Sequence, residues 1–397
     1  MNGTKKELLN DMKKEKIEYL SFYRAFAILA VVLIHATSQT IAAAQTSDLY
    51  YMYVFANIFS KFAVPSFIFL TGFVLFYNYA DRGLNLSNIG AFYRKRLKYI
   101  LIPYFIFSLA YFLFRQFLNG GITVSMESMT ALIEDLLTGT AYTHLYYIFI
   151  LVQFYLLFPL HLAASRSKTF VKYSIVIGLV IQWAFILLNK YELQIPQKGS
   201  LFLSYISFWM FGAYIGMNWN RCKQWLQSLF NPETGKAYRW WNAALWISWM
   251  LSALAHVQAW YTYNLGLFRM NSLWYEALFN VHSMLSCLVL IQASSLIYRR
   301  GRGLGARLFN QLGEISFGIY LMHPFFLFIY RKWEWHGGSS ILYPIYIASG
   351  FVFALGCSWL LIVLISRWVP GASWVLFGNP SLRPSTSANK KKANIAG

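Results

Sequence analysis

The stretch "YRAFAILAVVLIHATSQT", Tyr23 to Thr40, is apolar enough to lie in lipid, yet it carries an arginine near its start and a histidine eleven residues later. At about 100° per residue, eleven residues turn roughly 1100°, which is about 20° past three full turns. Arg24 and His35 therefore share one helix face. At 1.5 Å per residue they stand about 16.5 Å apart along the axis, too far to touch but placed to line one groove. Each alone has an ordinary reading: Arg24 can snorkel to the headgroups, and His35 can be a packed imidazole bonded to a neighbouring helix. The shared face makes the pair more informative than either member.

The whole chain extends this reading. Its 397 residues are 58% hydrophobic and 12% charged, the balance of an integral membrane protein, since a soluble domain of this length needs far more charge on its surface. Apolar runs of roughly 18 to 25 residues recur, each long enough for a hydrocarbon core of about 30 Å. Lipid offers backbone groups no hydrogen-bond partner and the alternating pattern of a barrel is absent, so the expected class is all-α. The expected spans are approximately 18–40, 53–79, 97–118, 145–163, 173–189, 201–217, 240–260, 274–297, 314–330 and 341–366, or about ten transmembrane helices. Pro65, Pro103, Pro159 and Pro324 are expected to kink them.

A net charge of +20 suits nucleic acid or anionic lipid, so the placement of the charges decides. On the ten-span scheme 26 of the 34 Lys and Arg fall on one side, in no single patch, and the positive-inside bias puts both termini in the cytoplasm. The basicity is then a topology signal, and no nucleic-acid partner is expected. Residues 1–17 read as a charged cytoplasmic lead-in, 18–370 as one membrane domain, and 371–397, rich in Pro, Ser, Asn and Lys, as a mobile tail. The longest outer loop, about 119–144, holds Glu127, Glu134 and Asp135. Ala42-Ala43-Ala44 looks like a signal cleavage site, but the preceding apolar region exceeds the usual 7–15 residues and contains Arg24, so an uncleaved first span is expected. Cys222, Cys287 and Cys357 show neither a disulfide framework nor metal-ligand spacing. Zinc-type His/Glu motifs, Gly-rich phosphate loops and a Gly-x-Ser-x-Gly elbow are also missing from the sequence, so no metal is expected.

Arginine, ten residues, then histidine in a first span resembles the signature of the membrane-bound acyltransferase 3 family. Four further segments resemble that family in order. They are "FIFLTGFVLF" (67–76), with Thr71 where serine is usual, and "FYRKRLKYILIPY" (92–104) with its Arg-x-Arg entry to the third helix. "THLYYIFILVQFYLLFPL" (143–160) has Tyr146-Tyr147 in place of Trp-Phe, and "LGEISFGIYLMHPFF" (312–326) carries the His-Pro segment. The resemblance implies transfer of an acyl group, usually acetyl, from cytoplasmic acyl-CoA to a hydroxyl of an extracytoplasmic glycan, glycolipid or lipid-linked sugar, in a bacterial plasma membrane. Some members continue into an extracellular hydrolase-like domain; this chain either acylates its acceptor directly or hands the group to a separate extracellular protein.

Acyl transfer to a hydroxyl needs a base, and an imidazole suits neutral pH, which makes His35 the candidate catalytic residue, as base or as covalent acyl carrier. Arg24, Arg94 and Arg96 are the candidate donor-binding residues, because a guanidinium fork matches phosphate oxygens; the competing reading of 94–98 is a positive-inside anchor. The pantetheine arm would then run along the groove from Arg24 towards His35. Thr71, His144 and His323 are supporting candidates, with packing as the ordinary role of the two histidines. Glu314, placed at the start of the ninth span, reads as a helix-dipole partner, and Glu276 and His282 lie on opposite sides of one helix, outside the site. The competing function is a polysaccharide or small-molecule exporter, which favours internal repeats that this sequence does not display.

Overall fold

The computed structural model describes residues 14–81, 85–230, 232–301, 303–337, 339 and 341–378. In chain order the helices are α1 (Leu20–Ala43), α2 (Tyr50–Tyr79), α3 (Leu86–Leu118), α4 (Met126–Thr138), α5 (Tyr146–Ala164), α6 (Lys168–Leu193), α7 (Phe202–Met217), α8 (Trp219–Gln227), α9 (Pro232–Asn264), α10 (Ser272–Arg300), α11 (Leu304–Glu314), α12 (Ser316–Arg331), α13 (Leu342–Trp368) and α14 (Pro370–Phe377). No strand occurs among the described residues. All ten expected apolar segments fall on helices. Among the described residues, seven helices are long and apolar enough to cross a membrane: α1, α2, α3, α5, α6, α10 and α13. An eighth span forms if α11 and α12 are taken together, although they meet at an 82° bend.

Side chains set several helix starts. Asn85 accepts from the Asn88 amide at 2.8 Å to open α3, and Ser125 accepts from the Ser128 amide at 3.1 Å to open α4. In α3, Pro103 has no N–H to give the carbonyl of Tyr99, and the turn Leu97–Leu101 widens to a π-turn. Gly378, at φ 65° after α14, sits so close to that Tyr99 carbonyl that a Cβ would lie 2.5 Å from its oxygen.

The bundle is held by backbones in near contact. A Cβ on Gly212 of α7 would lie 2.0 Å from the Phe69 carbonyl oxygen of α2, and one on Gly72 of α2 would lie 2.4 Å from the Trp209 oxygen of α7. In lipid, where apolar surface gains nothing by leaving water, such close approach maximises dispersion contact. A second approach seats α11 on the start of α1: a Cβ on Gly313 would fall 1.7 Å from the Ser21 carbonyl oxygen, and the Ser21 hydroxyl donates to Asn310 Oδ1 at 2.5 Å. That contact brings the α11–α12 break to the level of Arg24.

Three expectations change. The segment 119–144 is not all loop, because α4 forms there and Arg115 of α3 pairs with Asp135 of α4 at 2.5 Å, Thr140 also donating to that carboxylate at 2.8 Å. The span expected at 314–330 begins earlier and is broken, so Glu314 ends α11 instead of starting a straight helix. The tail expected from 371 starts as helix α14, whose Ser373 and Phe377 are buried; residues 379–397, and 1–13 of the lead-in, lie outside the described residues.

Gly212→Leu drives four heavy side-chain atoms into the α2 backbone, an overpacking that costs typically about 1–3 kcal/mol in a dense interior. The detergent-purified variant should melt several degrees below the parent protein; an unchanged melting temperature would show that α2 and α7 are not in near contact.

Candidate active site

Two cavities lie along the Arg24–His35 face of α1. The inner one, about 260 Å³, is lined by Arg24, Thr71, Arg96, Tyr147, Glu314 and Tyr320 among others. Arg24 sits opposite the carboxylate of Glu314, which the broken helix delivers. Arg96 lies over the rings of Tyr155 (4.9 Å to the centroid) and Phe92 (5.3 Å), and its Nε is buried with no partner. A buried guanidinium N–H without an acceptor is costly, and it is suited to an oxygen supplied by a ligand. The volume is just under the roughly 300–1,000 Å³ of sites for drug-sized ligands, so it fits an extended chain better than a nucleotide. Thr71 lines this cavity and donates to the Phe67 carbonyl at 2.8 Å, so its hydroxyl proton is already in use.

The outer cavity, about 560 Å³, is lined by His35, Tyr142, Arg331, Lys332 and Glu334, among others. His35 reaches it from the C-terminal half of α1. The guanidinium of Arg331 donates to the His35 carbonyl at 2.5 Å, satisfying a carbonyl near a helix C-terminus where cations are favoured.

Between the cavities three histidines from three separate segments converge. The ring of His35 is 5.1 Å from that of His323 and 6.4 Å from that of His144, and the latter two are 5.6 Å apart. His323 Nδ1 donates to the Ile319 carbonyl at 2.9 Å, which leaves Nε2 of the neutral ring with its lone pair, buried and unpartnered. Both ring nitrogens of His144 are likewise buried without partners. Tyr320 closes the wall: it lines the inner cavity, its hydroxyl donates to the His144 carbonyl, and its ring lies 5.2 Å from His144 and 5.3 Å from Tyr147. The inner cavity therefore ends on the tyrosine whose other side packs against the histidine cluster.

The structure gathers Arg24, Arg96 and Thr71 at one end and His35, His144 and His323 at the other. It does not gather Arg94, which is exposed and lines neither cavity: two residues along a helix turn it about 200° from Arg96. Glu276 and His282 also take separate partners, Lys198 and His256. Sequence reasoning did not single out Tyr320, Tyr147 and Arg331 as wall and lining residues: Tyr147 and Tyr320 lay inside segments that resemble the family without being given a role, and Arg331 lay outside them. Among the described residues no group of three or more His, Cys, Asp or Glu side chains is placed to share a metal ion, this cluster included.

Exposure separates the histidines. His35 opens on the outer cavity, whereas His144 is 1% and His323 0% exposed. Diethyl pyrocarbonate should therefore modify His35 first, read by peptide mass spectrometry on the detergent-purified protein. Equal or earlier modification of His144 or His323 would contradict this arrangement.

Comparison with known proteins agrees with the geometry. Two curated relatives, both from Staphylococcus epidermidis and both named as probable poly-beta-1,6-N-acetyl-D-glucosamine export proteins, are 25% identical over an alignment of 235 positions that covers 54% of this chain. The chain spans 60% of the length of these relatives. No solved structure matches it. A family profile described as an acyltransferase domain matches residues 17–363, and with that extent of match the chain belongs to the acyltransferase 3 family.

Proposed function

We propose that this protein is a multi-pass membrane O-acyltransferase of a bacterial plasma membrane, with both termini cytoplasmic and about ten spans. It takes an acyl group, acetyl in the simplest case, from cytoplasmic acyl-CoA and places it on a hydroxyl of an extracytoplasmic carbohydrate or lipid-linked sugar. The observation that carries this reading is the pair of cavities on one face of α1, with Tyr320 and the histidine cluster between them. A cationic end for a phosphorylated donor and an imidazole end for a hydroxyl acceptor are what transfer across a membrane requires.

On this reading Arg24 and Arg96 hold oxygens of the donor while the exposed Arg94 and Lys95 lie outside, on the side where a nucleotide would rest. The narrow cavity past Thr71 and Tyr147 orients the extended arm and keeps water from the thioester. His35 removes the proton of the acceptor hydroxyl as its oxygen attacks the thioester carbonyl. The C–S bond breaks, an ester forms, and the departing thiolate takes up the proton that His35 holds. His323 is a positioning residue: its ring, held by the Nδ1 bond to the Ile319 carbonyl, packs 5.1 Å from the His35 ring and orients it. Direct transfer to the acceptor and transfer through a separate extracellular protein share these steps up to the identity of the hydroxyl.

Export is the second reading, because the curated relatives are named for it and because α11–α12 is a broken helix, a feature of transporters. Export would require the whole wall of Tyr320 and the histidines to open for a glycan, whereas acyl transfer requires only the short acyl end of the donor to reach past it to His35.

In proteoliposomes supplied with labelled acetyl-CoA, His35→Ala should lower transfer by about 10²- to 10⁴-fold, the usual worth of a general base, with donor affinity unchanged. Arg24→Ala should weaken donor binding by about tenfold or more, the loss expected for a charge-assisted hydrogen bond. Equal donor binding by both variants would overturn the division of roles. Passage of an unmodified glycan with no release of free coenzyme A would favour export.

A further inference from the structure

A third cavity, about 340 Å³, opens on the other side of the same turn of α1: Ile34 borders it while His35 borders the histidine cavity. Its walls carry Lys61, Lys198, Glu276, His256, Trp260 and Tyr275. Lys198 is paired with Glu276, so the two cancel. Lys61 makes no ion pair with any described residue; its ammonium rests 4.8 Å from the centre of the Trp260 ring. A cation–π contact offsets only part of the hydration that an ammonium gives up on leaving water. The cavity is left with one uncompensated positive charge.

Its other groups are those that seat a ring of alcohols. His256 is 1% exposed, and its Nδ1 lies 3.3 Å from Nδ1 of His282, so one of the two rings donates there and the other accepts. In either tautomer the buried, unpartnered Nε2 of His256 retains one unused hydrogen-bonding function. The rings of Trp260 and Tyr275, with centres 5.2 Å apart and planes inclined at 56°, supply an apolar wall next to the polar groups. Burial of a polar atom with no partner needs a reason, and a hydroxylated ligand supplies one.

We infer that this cavity is a binding subsite for an acidic sugar, a hexose ring bearing a carboxylate or phosphate, with Lys61 holding the anionic group and His256 a ring hydroxyl. The inference rests on the proposed acyltransferase reading in one respect only: it makes the acidic sugar a unit of the acceptor, whose neighbouring residue reaches His35. Lys61→Met keeps the length of the side chain and removes the charge, while Lys61→Arg keeps the charge.

Isothermal titration of the detergent-purified full chain with glucuronate, glucose 1-phosphate and glucose tests the site without donor or catalysis. At least one of the two acidic sugars should bind about tenfold or more tighter than glucose, the preference vanishing in Lys61→Met and persisting in Lys61→Arg. Which acid is preferred tells carboxylate from phosphate. Equal binding of all three sugars, or a preference that survives Lys61→Met, would overturn the inference and leave the acyltransferase reading standing. Acetyl-CoA-dependent transfer that fails while the acidic preference holds would do the reverse, keeping the subsite and removing its role as acceptor site.

Discussion

A polar atom placed in hydrocarbon has to find its partner inside the protein, because lipid supplies none. That constraint makes each spanning segment a helix, and it also decides where polar side chains can lie. Arg24, Arg96, Glu314 and the three histidines all turn to cavities or to each other, on the inside of the bundle. The same constraint explains why unpartnered polar atoms are informative here. Arg96 Nε, His323 Nε2, His144 and His256 Nε2 border the three cavities or the wall between two of them, whereas others, among them Ser108 Oγ, His161 Nε2 and Ser358 Oγ, lie at residues that line none of them.

Close helix approach gives these groups their positions. Glycine at 72, 212 and 216 lets α2 and α7 meet backbone to backbone, and Gly313 lets the end of α11 lie on α1. The second approach has chemical consequences. It sets an 82° break at the level of Arg24, so that Glu314 comes to the inner cavity and Ser316 starts the helix that carries Tyr320, His323 and Arg331. One broken helix thus supplies an acid to the inner cavity, a tyrosine to the wall, an imidazole to the cluster and a guanidinium to the His35 carbonyl.

Charge pairing within the bundle is uneven, and the unevenness follows depth. At the end of the bundle where α1 begins, the largely exposed pairs Lys14–Asp81, at 2.7 Å, and Lys223–Glu15, at 2.9 Å, contribute little to stability. Arg115–Asp135 is half-buried, holds α4 against α3 and is supported by Thr140. Arg96 and Lys61, which make no ion pair with a described carboxylate, rest on aromatic rings beside cavities. Aromatic support lets a cation remain available to a ligand where a carboxylate would occupy it.

The helical class, the apolar segments and the common face of Arg24 and His35 were legible in the sequence, because each depends on hydrophobicity or on a rotation of about 100° per residue within one helix. Motif resemblance also marked Arg96, Thr71, His144 and His323. What the sequence could not show was distance between helices. The same local rule that joins Arg24 to His35 says nothing about Arg94 against Arg96 until a neighbour defines which face is inside, and Arg94 proved to lie outside. The break before Ser316 was hidden as well, since the polar residues Asn310, Gln311 and Glu314 read as the edge of a span and not as a bend between two helices. The meeting of His35, His144 and His323, the Tyr320 wall and the Lys61 cavity were decided by tertiary packing alone. They arise from backbone approaches between residues far apart in the chain, where the absence of a single Cβ sets which side chains face each other.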